Sequence, residues 1–121
     1  MKLIFECETE LGPCDADRVN GHFGEDPTGW TALAHTTAII TGAKTGMLRI
    51  EQRCYLRSTD RPEDVRAQNW VRPEMTLEPV LSSKDETTAM VEKLHQAFVQ
   101  KAKEEFVQQS ILIAPAVLCQ A

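Results

Sequence analysis

Apolar residues recur at helical spacing over one long stretch near the C-terminus. Val91, Leu94, Phe98, Ala102 and Phe106 share a stripe at 100° per residue, widened by Met90 and Ala97 on one edge and by Val99 on the other. Glu92, Lys93, Gln96, Gln100, Lys103 and Glu104 take the opposite side, and His95 falls inside the apolar arc beside Ala102 and Phe106. A capping box, Ser83-Lys84-Asp85-Glu86, opens the stretch, and its two acids suit the positive end of a helix dipole. The pattern predicts an amphipathic helix over 83–109. Such a helix is about 40 Å long, whereas a compact chain of this size is only roughly 35 Å across. An uncharged apolar run over 111–119 follows, divided by Pro115. Phe98 and Phe106 are expected mainly to pack on a sheet. The excess helix length and the apolar tail predict self-association, a dimer first, with His95, Phe98, Phe106, Ile111 and Ile113 at the shared surface. The tail is expected to end as a strand on a sheet edge, of this chain or of a neighbour.

Ahead of the helix the period changes from 3.6 to 2. The clearest strand is 47–57, with Leu48, Ile50, Cys54 and Leu56 on one face and Arg49, Glu51, Arg53, Tyr55 and Arg57 on the other. Gln52 breaks the apolar side. Residues 30–41, rich in Thr, Ile and Ala, predict a partner strand joined through Gly42-Ala43-Lys44-Thr45-Gly46. Residues 2–8 predict another, with Leu3, Phe5 and Cys7 to one side. Residues 68–80 read as extended, with Val71, Met75 and Leu77 in register, and Pro73 and Pro79 place them on a sheet edge. Residues 58–64 break the pattern and suggest one helical turn capped by Asp60. Residues 9–29, with Gly12-Pro13, Asn20-Gly21 and Pro27-Thr28-Gly29, read as a long loop. The predicted fold is a single α+β domain over 1–121. A mainly antiparallel sheet of three to five strands fills 1–80, one long C-terminal helix covers one face, and an apolar tail spans 110–121.

Composition narrows the function classes. The chain has 121 residues, 42% of them apolar, which suits one domain with a true core. The net charge of −5 argues against indiscriminate nucleic-acid binding. The charge is uneven: residues 29–73 carry seven bases against four acids, which leaves room for one anionic ligand. No uncharged apolar run has the roughly 18 residues of a membrane span, and the N-terminal apolar run is too short for a signal peptide. No membrane association and a cytoplasmic location are therefore expected. Cys7, Cys14, Cys54 and Cys119 lack CxxC spacing and read as free thiols in a reducing compartment. Cys7, Cys54 and Cys119 read as small buried groups, and Cys14, beside Pro13, as the exposed thiol.

Four constellations carry candidate chemistry. Arg49, Arg53, Tyr55 and Arg57 form a basic strand face on which guanidinium forks could hold phosphate and the tyrosine ring could stack on a base. This is the candidate ligand-binding site, for a nucleotide or a single nucleic-acid strand. The competing reading is a solvated face of cross-strand ion pairs, with Glu51 already neutralising part of the charge. The acidic loop Asp15-Ala16-Asp17 puts Val19 and Asn20 where a calcium loop needs an oxygen ligand and a glycine, so that motif fails. The order Cys7, Cys14, His22, His35 is too loose for a zinc knuckle, and no metal or cofactor is expected. His22, near Glu25 and Asp26, and His35 are the weak catalytic candidates; no nucleophile, metalloprotease, P-loop or dinucleotide motif supports them. The expected function is a non-enzymatic binding or adaptor protein, acting as a homo-oligomer with a protein partner, of the small accessory kind that phages and mobile elements carry. An anionic-ligand binder is the alternative, and a small enzyme using a loop histidine the third reading.

Overall fold

Five strands and one helix follow one another in the computed structural model: β1 (Lys2–Pro13), β2 (Trp30–Ile40), β3 (Met47–Ser58), β4 (Val65–Ala67), β5 (Glu74–Pro79) and α1 (Lys84–Gln108). The structure describes residues 2–14, 29–40, 46–60, 63, 65–67, 71–79, 83–109 and 112. Every strand pairing is antiparallel. β1, β2 and β3 form a meander, and β4 and β5 share the far side of β3, beside 55–57 and 47–52. The helix covers one face. The α+β architecture expected from the two periodicities is the one observed.

Alternation decides which side chains meet the helix. Leu48, Ile50, Gln52, Cys54 and Leu56 of β3 are buried, as are Ala32, Ala34, Thr36 and Ala38 of β2. The alanines of the middle strand let the helix come close, and the bulk is supplied by Val91, Phe98, Val99 and Phe106 from above. Full burial of such side chains contributes about 1.5–3 kcal/mol each. That outweighs local helix signals, among them the Ser83 side chain, which accepts from the Glu86 N–H at 3.1 Å.

Val91, with Met90 and Leu94, packs near Phe5, Ile40 and Leu48, at the start of β1 and β3. Phe98, Ala102 and Phe106 pack near Leu11, Trp30 and Leu56, at their far end. The helix therefore runs along the strands, in the direction of β1 and β3. Its 25 residues span about 37 Å. The 12 residues of β1 or β3 span about 40 Å. The strands are as long as the helix, so its length finds cover within one chain, and the argument from overhang to self-association loses its premise.

Several boundaries differ from the sequence reading. β1 does not stop at residue 8 but runs to Pro13. Register shifts between Leu3 and Phe5 and between Glu10 and Gly12 mark two bulges. The first lets both Ile4 and Phe5 pack toward the core. The second passes through Gly12 at φ +145°, which a side chain rarely adopts. Residues 9–13 are thus strand, and the remainder of the expected loop, 15–28, lies outside the described residues. The helical turn expected after Asp60 falls largely on residues 61, 62 and 64, which lie outside the described residues. Thr59 and Asp60 bend, and Val65–Ala67 adds a short strand to β3. The extended segment 68–80 contains β5 at the edge, as its prolines require. Val71 is buried, whereas Met75 and Leu77 are exposed, so these three do not share a face. Leu112 forms an antiparallel bridge to Cys14, placing the start of the tail on this chain's own sheet edge. Ile111, Ile113 and residues 114–121 lie outside the described residues. No helix among the described residues is long and apolar enough to cross a membrane.

Candidate functional site

Two polar constellations sit on opposite faces of the sheet. The first lies under the helix and divides the apolar core. His95 is 1% exposed. Its Nε2 lies 2.7 Å from the Thr9 hydroxyl and its Nδ1 2.6 Å from the Thr36 hydroxyl. Gln52, paired with Thr36 in the neighbouring strand, donates from Nε2 to the Thr36 hydroxyl at 3.2 Å and to the Leu94 carbonyl at 3.1 Å. Each of β1, β2, β3 and α1 thus contributes one side chain. Gln52, the exception on the apolar side of β3, belongs to this layer.

Donor and acceptor inventory fixes the histidine tautomer. A carbonyl only accepts, so the amide nitrogen of Gln52 must face Leu94, and its second hydrogen points at Thr36. The Thr36 hydroxyl then accepts from Gln52 and has its own hydrogen for Nδ1. Nε2 carries the proton and donates to Thr9. The opposite tautomer would leave the hydroxyl hydrogen of Thr36, fully buried, without an acceptor. A threonine, a histidine and a second threonine in line look like nucleophile, base and orienting group. Thr36 and His95, however, are both buried beneath the helix, 0% and 1% exposed, so the pair has no open side from which a substrate could reach it. The layer is built to hold strands and helix together. Burial, and then the charge of His35, holds the His95 pKa below its ordinary 6.5.

A cleft of about 620 Å³ opens beside the layer, between β1 and α1, with Phe5 and Cys7 on its floor and Glu92, Lys93 and Gln96 on its helix side. Cys7 is half-buried. Cys14 and Cys54 are buried, and burial pushes both thiols up to about 12. Cys14 is therefore not the exposed thiol the sequence suggests, because its segment continues β1 beneath Leu112. Cys119 lies outside the described residues.

The second constellation occupies the face away from the helix. Register places Glu6, Glu8 and Glu10 of β1 beside Thr37, His35 and Leu33 of β2. Those three in turn face Glu51, Arg53 and Tyr55 of β3. His35 Nε2 is 2.8 Å from the Glu6 carboxylate. Arg57 grips Glu8 with both terminal nitrogens, at 3.1 and 3.2 Å. Arg49 Nε is 2.9 Å from Glu51. Arg53 lies over the Tyr55 ring at 5.5 Å, and the His35 ring sits 5.7 Å from the same ring. Two of the three ladder arginines are thus already neutralised in the chain. On such exposed pairs the net stabilisation is small. Met75, Leu77 and Val65 stand 60%, 55% and 42% exposed at the β5 and β4 side.

The expected site residues therefore separate. Arg49, Arg53, Tyr55, Arg57 and His35 come together on the open face. His95, Phe98 and Phe106, expected at an interface, are buried within the chain against its own sheet. Their stripe meets β1, β2 and β3 along its whole length, which leaves none of them on an outer surface. His22 lies outside the described residues. Cys7 and Cys14 face the helix side and His35 the other, so the described members of the loose Cys/His order do not converge. Thr9, Thr36 and Gln52 were missed by sequence reading. Thr36 and Gln52 carried a signal, a polar residue at an inward position of each strand, whereas Thr9 lay beyond the predicted end of β1. No protein-family model, curated protein or solved structure matches the chain.

Proposed function

We propose that the protein is a small non-enzymatic binding protein that works as a homo-oligomer, a dimer in the first instance, and binds through its open sheet face. One observation carries this reading. α1 covers one face of the sheet, while nothing among the described residues covers the other, where Met75, Leu77 and Val65 stand exposed among charged side chains. A two-layer domain with a half-apolar, half-charged free face has the composition of a non-obligate interface. An adaptor role toward a further protein fits the same surface, and the burial of His95 and Thr36 beneath the helix keeps the inner polar layer away from any substrate. The free thiols Cys7, Cys14 and Cys54 support a reducing, cytoplasmic setting. Sedimentation velocity from micromolar to near-millimolar concentration tests the reading. A concentration-dependent dimer is the expected result, and a monomer throughout would overturn it.

A second reading has one specific observation in its favour. Arg53 is exposed, seated on Tyr55, and pairs with no carboxylate among the described residues. A cation beside an aromatic ring suits a nucleotide. The footprint is smaller than the four-residue ladder, because Arg49 and Arg57 are occupied. Nucleotide titration should then show affinity that falls steeply with salt and vanishes in Arg53→Glu. Salt-independent or absent binding removes this reading.

A further inference from the structure

β1 is the outermost strand of the sheet. Among the described residues only Leu112 stands on its outer side, through the antiparallel bridge to Cys14. Cover on the inward face of β1 changes along its length. Leu11 and Cys14, next to Leu112, are buried. Phe5, Cys7 and Thr9 are only half-buried, although Ala38, Thr36 and Ala34, level with them on β2, are fully buried. Burial on this strand thus fades where the described tail stops. Beyond that point the cleft of about 620 Å³ opens between β1 and α1, over Phe5 and Cys7.

We infer that residues 113–118 of this same chain continue from Leu112 as a further antiparallel strand on the outer edge of β1, and that Leu118 closes the cleft over Cys7. This placement is independent of what binds the open face. The bridge sets the direction: a chain antiparallel to β1 runs from Cys14 back toward Cys7. Six extended residues reach about 20 Å, the distance back along β1 to Cys7. The bulge sets the register. Leu11 and Cys14 both face inward though three positions apart, because β1 holds an extra residue between Glu10 and Gly12. A straight neighbour advances only two residues over that stretch. With Leu112 level with Cys14, Ala114 comes level with Leu11, Ala116 with Thr9 and Leu118 with Cys7, all facing inward. Ile113, Pro115, Val117 and Cys119 then face the other way.

The side chains suit the space this register gives them. The two alanines fall where the helix already crowds β1, with His95 on Thr9 and Phe98 and Val99 in the cluster of Leu11. The leucine falls where the cleft opens. Pro115 comes level with Glu10, beside the bulge, where the ladder is already interrupted. The run 113–118 carries no charge, as a strand with one buried face requires. Cys14 donates its N–H to Trp30 and Leu112 its own to Phe106, so their pair is of the closer, non-hydrogen-bonded kind. The pair of Leu118 with Cys7, on the same face, is of that kind too.

Two neighbouring tail positions test this in the full chain. Leu118→Ser removes an inward side chain from over Cys7, whereas Val117→Ser alters the opposite face. Maleimide labelling is followed cysteine by cysteine through peptide masses. Cys7 should react about tenfold faster in Leu118→Ser than in the parent, and near the parent rate in Val117→Ser. Cys14 and Cys54 should stay unreactive in both, which shows that the fold is kept. An unchanged Cys7 rate in Leu118→Ser, or an equal effect of the two changes, would overturn the placement. A cross-link reads the register itself. Leu118→Cys combined with Cys119→Ser should form an intramolecular disulfide with Cys7 in oxidised glutathione, whose own disulfide is reduced to two thiols as it takes up the two thiol hydrogens. The parent, with Cys119 on the other face, should form none. A bridge from Cys119 in the parent, or none in the variant, overturns the register. A bridge between two chains, seen as a covalent dimer without reductant, would seat the tail on a neighbour and overturn the assignment to its own chain.

Discussion

Thr36 determines where the His95 proton sits, and that proton ties the fold to pH. The imidazole is neutral in the folded chain, because burial and then the His35 charge hold its pKa below 6.5. Well above pH 6.5 it is neutral in the unfolded chain as well, and stability is at its full value. As pH falls from there toward the lowered folded-state pKa, the unfolded chain takes up a proton that the folded chain resists, and stability declines. Urea unfolding should therefore give a lower midpoint at about pH 5.5 than at about pH 7.5. A variant in which His95 is replaced should lose most of that difference. If the parent is equally stable at both values, or the variant keeps the whole difference, the assignment to His95 is wrong.

The buried layer also makes a prediction at the level of the elements it joins. Thr36→Val removes the hydroxyl that serves both His95 Nδ1 and one Gln52 hydrogen. Two buried groups are then unpaired, and the expected loss is about 1–3 kcal/mol. Replacing the layer together, as Thr36→Val, Gln52→Leu and His95→Leu, removes the partners along with the need for them. The triple variant should lose less than the sum of its three single losses in urea unfolding. A loss equal to the sum would mean that the groups act independently. Most elements were readable because alternation and the 3.6 period survive in β3 and α1 with little interruption. Gln52 and His95 read as exceptions because each was seen alone. Only the pairing of β2 with β3, and the helix laid over both, shows that they answer one another. β1 was read short because a bulge is a long-range accommodation: Gly12-Pro13 signals a turn locally, and only the ladder to Ala32 and Thr31 carries the strand through it. His95, Phe98 and Phe106 pack on this chain's own sheet for a related reason. An apolar stripe states that it needs cover, not whose.

Across the whole molecule, matched lengths change the argument for assembly. A helix of about 37 Å overhangs an average globule but not a sheet whose strands run to about 40 Å. Any pressure toward self-association therefore lies on the opposite side, where the sheet has no second layer among the described residues. The same geometry explains why the basic middle of the sequence reads as an anion site. β3 carries the arginines, whereas one of the carboxylates that answer them, Glu8, comes from a strand 49 residues away in the chain.

The position of His95 in the helix has one more consequence. The apolar stripe repeats nearly every turn, with Val91 one turn before His95 and Val99 one turn after it. On packing alone, the helix could slide by a turn of about 5.4 Å and still lay oily residues on the sheet. After such a slip a valine would stand over Thr9 and Thr36, and both hydroxyls would lose the imidazole nitrogen they face. The three strands form a notch cut for one imidazole. That notch works as a key, giving a repetitive helix a single seat along a long and otherwise permissive groove.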